Sequence, residues 1–172
     1  MAEIWRTLAR WRVTLGYMLG VAVWWFAQPT WRSLAIGAAV GALGEGVRIW
    51  AAGHLEKGRE VTTSGPYAIT RHPLYLGSSL MGAGFAIAAN RVPIAVLVFA
   101  YLTITIIAAI RSEEAHLTEK FGAAYPEYRE GRTTAPPRRF SFERAWRNRE
   151  YRALLGFVAV LGLLAVHLVM RI

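Results

Sequence analysis

Cysteine is absent from the 172 residues, which excludes disulfides, thiolate nucleophiles and cysteine-based metal sites. Charge is scarce, with Asp, Glu, Lys and Arg making up 18% of the chain, and acids are scarcer than bases, 11 against 20. No low-complexity segment or internal repeat stands out. No histidine and carboxylate cluster has metal-ligand spacing, so no metal is expected. Any chemistry must rest on carboxylate, imidazole, guanidinium, hydroxyl or a bound cofactor.

Apolar residues are abundant: 55% of the chain is hydrophobic and the mean hydropathy is +0.30, too apolar for an ordinary soluble domain of this size. Five runs, approximately 12–28, 33–52, 74–90, 92–111 and 152–171, are long enough, or nearly so, to cross roughly 30 Å of hydrocarbon as helices. The prediction is an all-α integral membrane protein of about five transmembrane helices, forming a single membrane domain over 1–172. Residues 1–57 are expected to be a two-helix hairpin, 58–137 a central unit, and 138–172 an interfacial helix with a final span. The first run follows a basic start (Arg6, Arg10, Arg12), but no small-x-small cleavage site follows before Gln28-Pro29-Thr30-Trp31, so it reads as a retained span. Trp24, Trp25 and Trp31 near its far end suit the membrane interface.

The net charge of +9 is unevenly distributed. With five spans, sixteen of the 20 Lys and Arg fall on one side and three on the other, and Arg48 lies within a span. Such a bias places the basic side in the cytosol, against anionic headgroups. Neither a basic recognition element nor an aromatic platform for nucleic acid is present, so no nucleic-acid partner is expected.

Gly16 and Gly20 in the first span, and Gly37, Gly41 and Gly44 in the second, are expected to pack these two helices together or against another protomer. Monomer and homodimer therefore both remain open. Gly82-Ala83-Gly84 lies inside a span and reads as helix packing, not a dinucleotide fingerprint. Glu45 and Arg48, three apart, are expected to neutralise each other, with a place facing the pocket open to either, and the lone His167 reads as structural or interfacial. Gly53, Gly58 and Gly65-Pro66 break the first long loop, and Pro73 suits the first turn of the third span. The short Asn90-Arg91-Val92-Pro93 link makes spans three and four an antiparallel hairpin, which brings Arg71-His72 beside Glu113-Glu114. The fourth helix is expected to run to about Phe121, with Gly122 and Pro126 ending it. Residues 131–139 are expected to be extended, and 140–151 to form an interfacial helix carrying Phe142 and Trp146, which anchors the final span.

The sequence Arg71-His72-Pro73-x-Tyr75-x-Gly77, preceded by Gly65-Pro66-Tyr67, is followed by Glu113-Glu114-x-x-Leu117-x-x-x-Phe121-Gly122-x-x-Tyr125-x-x-Tyr128. Together these motifs resemble the isoprenylcysteine carboxyl methyltransferase family, which is itself similar to the membrane phospholipid methyltransferases. The likeness covers about residues 58–137, with the motifs in the family's order and spacing. It implies a multi-span enzyme that takes S-adenosylmethionine from the cytosol and methylates a lipophilic acceptor entering sideways from the bilayer. By the same resemblance, His72, Tyr75, Leu76 and Gly77 line the cofactor pocket, and Glu113 and Glu114 close it. The last span lies beyond the likeness, and Pro136-Pro137-Arg138-Arg139 follows the family's ending only loosely.

The residue types fit such a pocket. A helix N-terminus at Pro73 with Arg71 beside it favours an anion, either the cofactor carboxylate or an acidic acceptor. Glu113 or Glu114 suits ribose hydroxyls or the cofactor's cationic end, and Tyr67, Tyr75, Tyr125 and Tyr128 offer ring faces and hydroxyls. The candidate catalytic residues are Arg71, to orient an anionic acceptor, and Glu114; an amine or hydroxyl acceptor would call on His72 or a glutamate as base. Three other readings stand beside this one. Arg71 and His72 also suit plain interfacial snorkelling, the Arg-His-Pro-x-Tyr element is similar to one in steroid reductases using NADPH, and the glycine stripes suit a noncatalytic scaffold or small transporter.

Overall fold

The computed structural model describes residue 14 and residues 16–132 and 138–170, and every described regular element is helical. The elements are α1 (Gly16–Phe26), α2 (Trp31–Ala52), a 3₁₀ turn (Gly65–Ala68), α3 (Pro73–Ala89), α4 (Val92–Phe121), α5 (Ala124–Arg129), α6 (Phe142–Arg147) and α7 (Tyr151–Met170). Among the described residues three helices, α2, α4 and α7, are long and apolar enough to cross a membrane. α3 is shorter, with 17 residues, and α1 is described only over Gly16–Phe26. The ends of α3 are fixed by Pro73 and by Asn90, which adopts left-handed geometry (φ 52°). The basic start Arg6, Arg10 and Arg12 and the centre of the stretch expected to be extended, 133–137, lie outside the described residues.

Thr30 and Ser33 open α2 by a reciprocal capping box, in which Ser33 N–H donates to Thr30 Oγ1 at 3.0 Å and Thr30 N–H to Ser33 Oγ at 2.9 Å. Ser33 Oγ also donates to the Ala88 carbonyl at 3.2 Å, tying the start of α2 to the end of α3.

The glycine stripe of α2 meets α3, not α1 as the spacing had led one to expect. A Cβ on Gly37 would stand 2.4 Å from the Gly84 carbonyl, and one on Gly44 would stand 2.6 Å from the Gly77 carbonyl. The reason is complementarity: α3 presents its own glycines there, so two bare backbones touch. On α1, Gly16 faces the Tyr101 hydroxyl of α4, and Gly20 has no neighbour within 4 Å. Gly41 accepts the Phe157 ring of α7, where a Cβ would come within 2.4 Å of a ring carbon.

At the end of the bundle away from Pro73, His167 of α7 donates through Nε2 to the Ala27 carbonyl at 3.1 Å and packs edge-on against Trp24. This satisfied, buried histidine is structural. The small core joins Val23 and Ala27 to Ala86, Ala88, Ala89, Ile94, Val98 and Leu164. Large side chains such as Leu43, Val96, Leu155 and Val158 point outward, as expected for a surface in contact with lipid.

The tail segments depart from the expected pattern. Gly122 does end α4, but Pro126 lies inside the short helix α5 instead of terminating one. The expected helix over 140–151 contracts to the six residues of α6. Its arginines are paired: Arg144 Nε donates to Glu56 Oε1 at 2.8 Å, and Arg147 Nη2 to both Glu56 oxygens at 3.0 Å. Asn148 Nδ2 donates to the Ala52 and Leu55 carbonyls at 2.9 and 2.8 Å, satisfying backbone acceptors at the end of α2. Phe142 and Trp146 remain exposed.

Candidate active site

Antiparallel packing of α3 and α4 puts the residues before Pro73 beside the extension of α4 past its apolar stretch. His72 is the N-cap of α3 and its carbonyl accepts from the Tyr75 and Leu76 amides, which fixes the ring at the helix mouth. One oxygen of Glu114 then gathers three donors. His72 Nε2 lies 3.1 Å from Glu114 Oε1, the Tyr125 hydroxyl 3.0 Å and Arg71 Nη1 3.4 Å. The two bonds near 3 Å are firm and charge-assisted, and the Arg71 contact is looser, on a guanidinium 44% exposed. Burial, then the Glu114 bond and charge, pushes the Tyr125 phenol well above its ordinary pKa, so it stays a donor.

A cavity of about 340 Å³ opens beside this cluster. Arg71, Arg129, Thr63, Thr70, Tyr67 and Tyr128 are among its lining residues, and no carboxylate is. That volume falls within the roughly 300–1,000 Å³ of small-molecule sites. The 3₁₀ turn seats Tyr67 in the interior, and its carbonyl accepts the Tyr128 hydroxyl at 2.5 Å. The turn depends on Gly65, at φ 61°, where a Cβ would also stand 2.5 Å from the His54 ring. Burial above all, with the Glu113 charge second, drives the Tyr67 phenol upward.

The sequence-derived residues thus separate by place. Arg71, His72, Glu114 and Tyr125 form one connected cluster, with Tyr75 packed at a tilt beside His72 at 5.9 Å between ring centres. Tyr67 lies on the adjoining cavity, while Leu76 and Glu113 are exposed. Gly77 faces α2, where a Cβ would meet Arg48 Cγ at 2.5 Å and the Gly44 carbonyl at 2.6 Å.

The expected Glu45 and Arg48 pair is present but loose, and a second acid stands closer to the guanidinium. Arg48 Nε stands 2.6 Å from Glu150 Oε1 and only 4.0 Å from Glu45 Oε2. The i, i+3 spacing named the near neighbour in sequence, whereas the guanidinium reaches an acid 102 residues on. Sequence reasoning also missed Thr63, Thr70 and Arg129, whose one signal is proximity to the motifs.

These helices define an all-helical integral membrane protein with a polar cluster at one end of its α3–α4 hairpin. The phospholipid methyltransferase family model matches residues 11–124, and the chain belongs to that family, a group of membrane methyltransferases. It is also similar to the nickel-cobalt-cadmium resistance protein NccN of Alcaligenes xylosoxydans xylosoxydans, at 30% identity over 119 residues. That stretch is 64% of this chain, and the chain spans about half, 55%, of that relative's length. No solved structure matches.

Proposed function

We propose that this chain is an S-adenosylmethionine-dependent methyltransferase acting on a membrane-embedded, lipophilic acceptor from its cytosolic face. The observation that carries the reading is the convergence of His72, Tyr125 and Arg71 on Glu114 Oε1, in a member of a methyltransferase family.

The residues fit the cofactor's chemistry. Arg129 suits its carboxylate, Tyr67 and Tyr128 its flat base, and the Glu113-Glu114 pair its cationic end or ribose hydroxyls. When bound, S-adenosylmethionine supplies an electrophilic methyl group that an acceptor displaces directly. The protein's task is then alignment and exclusion of water. Glu114, fixed by its donors, holds His72 at the mouth of α3, and Arg71 reaches the cavity to orient an anionic head. An isoprenylcysteine-like carboxylate is nucleophilic as it stands and needs no base.

A phospholipid amine is the second reading, favoured by the family that matches. There Arg71 and Arg129 would hold the phosphate, and Glu114 with His72 would take the proton from the amine.

The test is S-adenosylmethionine binding to purified protein, with His72→Ala and Glu114→Gln as variants. Losing charge-assisted bonds worth about 1.5–3 kcal/mol reads as a roughly ten- to hundredfold weaker Kd. Unchanged affinity in both folded variants would overturn the pocket. Methyl-labelled cofactor offered with a prenylated cysteine or an aminophospholipid then separates the two acceptors, and selective NADPH binding would replace the reading altogether.

A further inference from the structure

A second charged cluster lies under the first turns of α3, away from the residues that meet Glu114. Arg48, inside α2, runs its stem over the bare Gly77 backbone. Its guanidinium then divides among three acceptors. Nε donates to Glu150 Oε1 at 2.6 Å, and Nη1 donates to Ser78 Oγ at 2.6 Å and to the Leu74 carbonyl at 3.4 Å. Ser78 Oγ donates to the same Leu74 carbonyl at 2.9 Å, closing a ring of bonds over the first turns of α3. The amides of that turn hang from the His72 carbonyl. Glu150 is buried and directly precedes α7, a helix outside the family match that ends at residue 124.

We propose that Arg48 and Glu150 are positioning residues: their ion pair clamps the first turn of α3, sets where His72 stands against Glu114, and makes α7 a working part of the site. A planar guanidinium suits this, because its rigid fork reaches several acceptors in fixed directions where an ammonium acts as a point charge. Gly77 belongs to the same device, since any side chain there would displace the Arg48 stem. The motif glycine is thereby explained by what lies over it.

The affinity readout rests on the methyltransferase reading; the second readout does not. Full-length protein in lipid nanodiscs is compared as wild type, Glu150→Gln and Arg48→Lys, with His167→Ala as control. His167 ties α7 to Ala27 at its other end, so its loss loosens α7 without touching Arg48. Amide hydrogen exchange over residues 75–78 and S-adenosylmethionine affinity are measured beside thermal melting. Glu150→Gln and Arg48→Lys are expected to speed exchange in that stretch and weaken binding by about three- to thirtyfold, the reach of coupling through packed networks. His167→Ala is expected to lower the melting temperature and do neither. Equal acceleration by His167→Ala at matched melting, unaltered exchange in Glu150→Gln, or unchanged affinity where the wild type binds would each overturn the clamp. If the wild type binds no S-adenosylmethionine, the functional reading fails and exchange alone still decides. Should Arg48→Lys not fold, Glu150→Gln carries the comparison.

Discussion

Glu114 and Glu45 show how differently two carboxylates fare in one bundle. Glu114 is half-exposed and gathers three donors, whereas neither oxygen of the buried Glu45 accepts a hydrogen bond. Replacing Glu45 with the isosteric Gln is therefore expected to leave the melting temperature unchanged or raise it. Removing Glu150 instead takes the closest acid from a partly buried Arg48 and leaves it Ser78, Leu74 and the loose Glu45 contact, a change expected to cost up to about 3–5 kcal/mol. Melting of Glu45→Gln and Glu150→Ala in detergent measures the contrast, and equal losses would contradict it.

Glu56 gives a pH-dependent case. Burial raises its carboxyl, but the Arg144 hydrogen bond and the charges of Arg147, Arg144 and Arg138 outweigh that and hold it below the usual range. A depressed folded pKa means that the stabilisation is present above the unfolded value, 4.5, and is lost as pH falls through the lower folded value. Protease cleavage between 138 and 150 is expected to rise on acidification below that range, and to be high already at neutral pH in Glu56→Gln.

At the scale of elements, the α2–α3 seam tolerates no added atom. Gly84→Leu places a side chain where a Cβ alone would lie 2.5 Å from the Gly37 carbonyl, an overpacking expected to cost at least about 1–3 kcal/mol. Gly20→Ala in α1 meets nothing within 4 Å and is expected to be neutral or to gain up to about 1 kcal/mol of helix propensity. Paired melting curves settle both.

The seam also shows what the sequence carries and what it hides. Spacing of small residues revealed that α2 has a contact face, and the apolar runs placed both ends of α2, α3 and α7 and the start of α4 within two residues of those observed, while the end of α4 at Phe121 was marked by Gly122 and lies ten residues past its apolar run. Spacing alone does not name the partner, because any helix with a matching bare face serves. The meeting of Arg71 and His72 with Glu114 was legible because a short link leaves an antiparallel hairpin only one arrangement. The Arg48 to Glu150 contact was not, since it closes through the tertiary fold across 102 residues. The pairing of Arg144 and Arg147 with Glu56 was hidden for the same reason, since it joins residues 88 and 91 apart.

For the whole molecule, large apolar side chains face outward over a core of mostly small residues, the reverse of a water-soluble bundle. The cysteine-free chain makes sidedness directly measurable. A single cysteine in place of the exposed Arg59 is expected to react with an impermeant maleimide only from the cytosolic side, and one in place of the exposed Arg91 only from the other. Matching accessibility would refute the proposed orientation.

The 30 residues of α4 measure about 45 Å, half as long again as roughly 30 Å of hydrocarbon. The surplus is the polar stretch from Arg111 to Phe121, which carries Arg111, Glu113, Glu114, Glu119 and Lys120 and which hydrocarbon rejects. One unbroken helix is thus expected to stand Glu114 on a pillar clear of the oil, within reach of water and lipid alike.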